Sequence, residues 1–211
     1  MTFVPDKIEL EPLEVSLQSV SLRRGGRVLF ENLSLTLKPG NLLYVLGENG
    51  IGKTSLLLAL AGLLKPSQGQ ISFFKGYSPF FSSSLIVQPD GASRGLSVWE
   101  ELNFTSKLYT SSQNIEHLMA KVGLTDMAQN RTETLSLGQR KRLSLAKLLI
   151  ARRPLWLLDE PFSALDASGR GLFSQEITAH LGQGGIAVIA THLPTDILGH
   201  SAKTLTLEVA E

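Results

Sequence analysis

Residues Gly47-Glu48-Asn49-Gly50-Ile51-Gly52-Lys53-Thr54 fit the pattern G-x-x-x-x-G-K-[ST], after the apolar run LLYVL and before SLLLALAGLL. Glycines at these places let successive backbone N–H groups curl around an anion, and the helix that follows adds the positive end of its dipole. In such a loop Lys53 reaches the outer phosphates of a nucleotide, the Thr54 hydroxyl ligates Mg2+, and Ser55 follows on the first helical turn. A glycine-rich turn without a ligand is the plain alternative. The strand before and the helix after favour the phosphate loop.

About a hundred residues on, LWLLD ends in Asp159, followed by Glu160. Asp159 stands where a second magnesium-holding carboxylate belongs. If the chain turns at the strand end, Glu160 faces the terminal phosphate and polarises an attacking water. The pair could also be a simple polar strand terminus. A second anion-binding candidate opens at Ser136, with Gly138 and Gln139, because a hydroxyl and free N–H groups at a helix start suit a phosphate. An ordinary N-cap would look the same. The helix it opens carries Leu143, Ala146, Leu149 and Ile150 on one face, while Arg140, Lys141 and Arg142 are expected in solvent or against a partner.

The elements that must position these groups are legible in outline. The first forty residues alternate, as in VSLQSVSL and LSLTL, which suits half-buried antiparallel strands joined by the turn Arg23-Arg24-Gly25-Gly26-Arg27. LLYVL, LWLLD and IAVIATH are continuously apolar, as central strands covered on both faces are. Each ends in polar chemistry: Gly47 onward, Asp159-Glu160, and Thr191-His192. A fourth run, SLIVQ, delivers Gln88 in the same way. Ligands of open α/β sheets collect at the carboxyl ends of parallel strands, so these segments are expected to converge on one edge. Between Gln88 and Leu135 the spacing turns helical, in LSVWEELNFTSKLY and NIEHLMAKVGL, with the loop-like linkers PDGASRG and QNRTET around them.

Composition sets the bounds. A chain of 211 residues accommodates one well-packed domain with a smaller inserted lobe. A net charge of +1 provides no broad basic field of the kind nucleic-acid binders use. The absence of cysteine excludes a disulfide framework and a thiolate metal site, in keeping with a reducing compartment. The longest apolar run, Leu56 to Ala61 followed by Gly62-Leu63-Leu64, falls far short of the ~20 residues of a membrane span. The acidic, proline-broken N-terminus does not read as a signal peptide. A membrane role is expected to run through a partner.

Taken in order, GENGIGKTS, LSLGQ, LWLLDEP, SALD and a downstream TH resemble the full motif set of an ABC-type ATPase cassette, over nearly the whole chain from about Leu13. The resemblance implies an α/β P-loop NTPase core sheet with an antiparallel β subdomain and an inserted small helical subdomain. It implies one nucleotide-binding domain over 1–211, with 13–88 and 151–211 as the core and 89–150 as the helical lobe carrying the signature. Two cassettes are expected to pair head to tail, so that Ser136, Gly138 and Gln139 of one chain cover the ATP held by the phosphate loop of the other. Carried over onto matching positions, the family's pattern makes Gln88 the residue sensing γ-phosphate and Mg2+, and Asp166 the contact across the dimer. His192 becomes the switch histidine. Without the resemblance a histidine after a strand reads as structural, as His117, His180 and His200 do.

Two positions depart from the family's pattern. Leu137 replaces the usual middle glycine of the signature, and Arg24 stands where an adenine-stacking aromatic is usual, with no Phe, Tyr or Trp between Phe3 and Phe30. A guanidinium plane can stack in an aromatic's place. Within the family, RGGRVLFENLSLTL and LSLGQRKRLSLAKLLIARRPLWLLDEPFSALD most resemble the ATP-binding subunits of the haem exporter used in cytochrome c maturation. That kinship implies a peripheral ATPase on the cytoplasmic side of the inner membrane, docked on a separate transmembrane permease through a groove between Ser97–Leu108 and the Gln88 loop. Trp99 is a contact there or a core residue. The rival readings are another exporter's ATPase, a P-loop kinase, which has no use for LSLGQ or SALD, and a non-transport cassette acting on nucleic acid.

Overall fold

The computed structural model describes residues 10, 12–87, 95–192 and 201–208. Strands β1 (Val15–Arg24) and β2 (Arg27–Leu37) form the expected hairpin, with Gly25 and Gly26 both at positive φ in its turn. Strand β3 (Leu42–Leu46) runs through the phosphate-loop segment into helix α1 (Lys53–Leu60). Next come β4 (Gln68–Phe73), a four-residue helix α2 (Pro79–Ser82) and β5 (Ser83–Ile86). Helices α3 (Val98–Leu108), α4 (Ile115–Val122) and α5 (Leu137–Ala151) lead to β6 (Leu155–Asp159). Helix α6 (Ala167–Gly182), β7 (Ile186–Ala190) and β8 (Ala202–Thr206) complete the described elements.

The strands form two sheets. An antiparallel sheet has the order β2-β1-β4, and a five-stranded parallel sheet has the order β5-β6-β7-β3-β8. The continuously apolar strands are explained by alternation between two cores. Leu42, Tyr44, Trp156, Leu158, Ala187 and Ile189 face a cluster shared with α3, α4, α5 and α6. Their neighbours Leu43, Val45, Leu155, Leu157, Ile186 and Val188 face a second cluster with α1 and the antiparallel sheet. Successive strand residues point to opposite faces, so a strand covered on both sides must be apolar throughout. Helix α1 lies within the second cluster and is apolar on most sides for the same reason.

Strands β4 and β8 were not anticipated from the sequence. Both are sheet edges with mostly exposed side chains, so neither carries an alternating pattern. A Cβ on Gly69 of β4 would collide with the backbone of Gln18 and Ser19, and this close approach requires glycine. Helices α3 and α4 stop where their caps dictate. Ser97 and Glu100 form a reciprocal capping box at the start of α3, and Asn114 caps α4, which ends at Gly123 in the left-handed region.

Candidate functional site: the carboxyl edge of the parallel sheet

Strands β6, β7 and β3 are consecutive neighbours, and their register aligns Asp159 with Ala190 and Ala190 with Val45. One step beyond these residues come Glu160, Thr191 and Leu46, then Gly47. Three segments far apart in sequence are thereby delivered to adjacent places on one edge.

The loop from Gly47 to Gly52 takes backbone conformations that favour glycine. Gly47, Gly50 and Gly52 have φ of 146°, 81° and 120°. A Cβ on Gly47 would meet the Leu207 carbonyl oxygen at 2.9 Å, which makes the first glycine sterically required. Gly52 occupies the N-cap of α1 and provides no side-chain cap, so the helix start offers its N–H groups to the loop's interior. Lys53 is buried, and its Nζ donates to the carbonyl oxygens of Gly47 at 2.6 Å and Glu48 at 3.0 Å. The Thr54 hydroxyl donates to Asp159 Oδ2 at 2.6 Å, joining the loop to the end of β6 across the one intervening strand, β7. A hydroxyl beside a buried carboxylate is a hard-oxygen donor set, which suits Mg2+ held mostly by phosphates and water. Among the described residues no cluster of three or more His, Cys, Asp or Glu forms a protein-only metal cage.

Glu160 has φ of 46°, so the chain turns sharply after β6. Its amide donates to the Ala190 carbonyl oxygen at 2.8 Å. Its carboxylate accepts from Thr191 Oγ1 at 3.0 Å on one oxygen, and from His192 N at 3.0 Å on the other. The same second oxygen lies 2.9 Å from His192 Nδ1, which donates in the tautomer protonated there, because a carboxylate only accepts. The sequence names Thr191 only as part of the polar exit after IAVIA and assigns it no role. Its position next to His192 after a buried strand was the available signal.

Ser136 begins α5 with a capping box: its Oγ accepts from Gln139 N at 3.3 Å, and Gln139 Oε1 accepts from Ser136 N at 2.8 Å. Ser136 is thus an N-cap, and it remains exposed with Leu137, which is 63% accessible. A Cβ on Gly138 would stand 2.9 Å from the Ala164 carbonyl oxygen, so this glycine lets the signature touch the SALD loop. Asp166 caps α6 by accepting from Gly169 N at 2.8 Å and also accepts from Arg142 Nη2 at 3.0 Å. The Gly169 amide first, and the Arg142 guanidinium after it, hold the Asp166 carboxyl below its ordinary range. Gln88 lies outside the described residues, as does His200.

The basic triplet departs from expectation, because none of its members is a simple solvated charge. Arg140 donates to the carbonyl oxygens of Leu135 and Glu133, and Arg142 to that of Val122 as well as to Asp166. Lys141 is only 2% exposed, and its Nζ donates to the Asp159 carbonyl oxygen at 3.3 Å. Leu143, Ala146 and Ile150 of α5 are buried as expected and Leu149 is half-buried, and the buried face also takes in Lys141, Leu145 and Leu148. The i, i+4, i+7 spacing of those three was the signal that placed Lys141 inward.

A separate concavity of about 530 Å³ lies between α2, β5, α3 and α5, and shares no residue with the phosphate loop. Phe80, Phe81, Val87, Leu108 and Tyr109 line it, with the two phenylalanines 66% and 63% exposed. Trp99 is partly exposed and is not in this lining. Arg24 is exposed at the hairpin tip, cross-strand to Arg27. Among the described residues His180 is a buried histidine, stacked on Trp156 with ring centroids 4.1 Å apart, whereas His117 is exposed. Among the described residues no helix is long and apolar enough to cross a membrane.

The ABC transporter family profile matches residues 30–163. A cytochrome c biogenesis ATP-binding export protein CcmA from Rhodopseudomonas palustris is 42% identical over 181 residues, covering 82% of this chain and 89% of that protein. The protein of the same description from Idiomarina loihiensis is 38% identical, covering 90% of this chain and 91% of the relative. Among solved structures, an ABC transporter ATP-binding protein from Pyrococcus furiosus superposes with a TM-score of 0.76 at 24% identity, covering 92% of this chain and 97% of that one. A metal-chelate-type ABC transporter in an inward-facing conformation gives a TM-score of 0.73 at 27% identity, covering 93% of this chain and 80% of its own. With the ordered motifs and the sheet-edge geometry, these similarities place the chain in the ABC transporter family, as an ATP-hydrolysing, nucleotide-binding protein of the CcmA type.

Proposed function

We propose that this chain hydrolyses Mg2+-ATP as a head-to-tail homodimer and drives a separate transmembrane permease. On this reading the core comprises 13–88 and 151–211, and the helical lobe 89–150. Gly47 to Ser55 hold the phosphates of ATP, with the α1 N-terminus and Lys53 providing positive potential. Thr54, Asp159 and Gln88 hold Mg2+, which neutralises charge on the phosphates when bound. Glu160 orients and deprotonates the attacking water, and His192 positions Glu160 and meets the terminal phosphate. Ser136, Gly138, Gln139 and Asp166 act on the nucleotide of the second copy. Arg24 stacks on the base in place of an aromatic.

The observation that carries this reading is the Glu160 carboxylate, held on both oxygens by Thr191 and His192 beside the Thr54–Asp159 pair. A carboxylate fixed in this way is a preorganised base. The concavity lined by Phe80, Phe81 and Leu108 suits an apolar segment of the permease, which would bring the chain to the cytoplasmic face of the inner membrane. The relatives' description as cytochrome c biogenesis export proteins supports a haem-exporter complex as the assembly.

The test is free phosphate release by the full chain and by Glu160→Gln. We expect the variant to bind ATP but turn over about 100-fold more slowly or worse. Equal turnover in the two proteins would refute the assignment. Co-purification of a membrane permease with the intact chain, lost on Phe81→Asp, is the matching test of the partner.

A further inference from the structure

We propose that Lys141 is a positioning residue for Glu160, one that ties the helix opened by Ser136 to the catalytic edge of the same chain. The inference rests on the role assigned above to Glu160. Its basis is the peptide unit joining Asp159 to Glu160, which is pinned at both polar ends. The carbonyl oxygen of Asp159 accepts from Lys141 Nζ at 3.3 Å, and the amide of Glu160 donates to the Ala190 carbonyl oxygen at 2.8 Å. The orientation of that peptide plane determines where the chain goes next. Glu160 then enters the left-handed region, with φ of 46°, a conformation a non-glycine residue keeps only when its surroundings impose it. The turn brings the carboxylate to Thr191 and His192.

Lysine is a costly choice for a purely structural role here. A buried ammonium is tolerated only when its donors are satisfied, and Lys141 is 2% exposed. An apolar side chain of similar length would fill the same space without that cost. What the ammonium adds is a directed donor at the last carbonyl of β6. Because Lys141 sits two residues beyond the Ser136–Gln139 capping box, a shift of α5 at its N-terminus moves the donor that fixes the Asp159–Glu160 peptide. The two anion sites of one chain are thus linked through a short helical segment and the Lys141–Asp159 hydrogen bond.

The experiment compares wild type, Lys141→Met, Lys141→Arg and Glu160→Gln as full chains, reading kcat, KM, equilibrium ATP affinity and amide exchange over 159–163. We expect Lys141→Met to lower kcat about tenfold or more while ATP affinity stays within about twofold, with faster exchange at Glu160. Lys141→Arg, which keeps a cationic donor, should recover most of the loss. Lys141→Gln takes the place of the methionine variant should that one not fold. Wild-type kcat in Lys141→Met alongside an inactive Glu160→Gln would overturn the positioning role and leave the role of Glu160 standing. Unchanged exchange at Glu160, a parallel loss of affinity and kcat, or an arginine variant no better than methionine would also overturn it. Wild-type turnover in Glu160→Gln would instead remove the catalytic reading on which the inference rests.

Discussion

Glu160 and His192 are joined twice, because one carboxylate oxygen accepts from the His192 backbone amide at 3.0 Å and lies 2.9 Å from its ring Nδ1. Thr191 holds the other oxygen at 3.0 Å. A carboxylate with both oxygens held swings little, so in the catalytic role proposed for Glu160 it would hold a water in one geometry before chemistry begins. A hydrogen bond to a charged group contributes about 1.5–3 kcal/mol.

Removing either partner should therefore slow turnover without abolishing nucleotide binding. We expect Thr191→Val and His192→Ala each to lower kcat by about 10–100-fold, with ATP affinity within about twofold. Steady-state phosphate release and equilibrium ATP binding measure the two separately. A rise in KM at constant kcat would show that these residues serve binding instead.

Gly138 gives a second expectation. A methyl there would stand 2.9 Å from the Ala164 backbone oxygen, and backbone cannot swing aside as a long side chain does. Gly138→Ala should destabilise the chain by about 1–3 kcal/mol, the usual cost of overpacking, and should push the signature away from the SALD loop. Urea unfolding reads the first effect and nucleotide-dependent dimerisation the second. Unchanged behaviour in both would mean that the loop relaxes freely.

The buried His180 sets a pH dependence of stability. Desolvation by burial lowers its pKa to about 4, against hydrogen bonds from the ring to the backbone carbonyl oxygens of Ile186 and Pro154 that act the other way. Its ordinary value is 6.5, so between these limits the unfolded chain binds a proton that the folded chain refuses. The resulting stability is fully present above pH 6.5 and is lost progressively as pH falls toward 4, at most about 3 kcal/mol in all. Urea melts from pH 7.5 to 4.5 should show the decline, and His180→Phe, which keeps a ring to stack on Trp156, should flatten this part of it. An identical slope in the variant would assign the decline to other groups.

The parallel core was legible because its strands are buried on both faces and hence apolar without interruption, as LLYVL and LWLLD are. Their polar exits marked the edge to which Thr54, Asp159 and Glu160 are delivered. Strands β4 and β8 left no such trace, since each lies at a sheet edge with its side chains largely in solvent. Residue type misled at Lys141, where a charge suggested the surface and helical spacing put it inside. The Thr54–Asp159 contact crosses 105 positions of sequence, and only the sheet order brings its members together.

In the proposed dimer the site assembled on the sheet edge of one chain is completed by Ser136 of a second. The most direct measurement is sedimentation of the Glu160→Gln chain with and without Mg2+-ATP, alongside the same variant carrying Ser136→Arg. A dimer that forms only with nucleotide and is lost on Ser136→Arg is the predicted result. A chain that stays monomeric with bound Mg2+-ATP at high concentration, with its membrane subunit supplied, would contradict it.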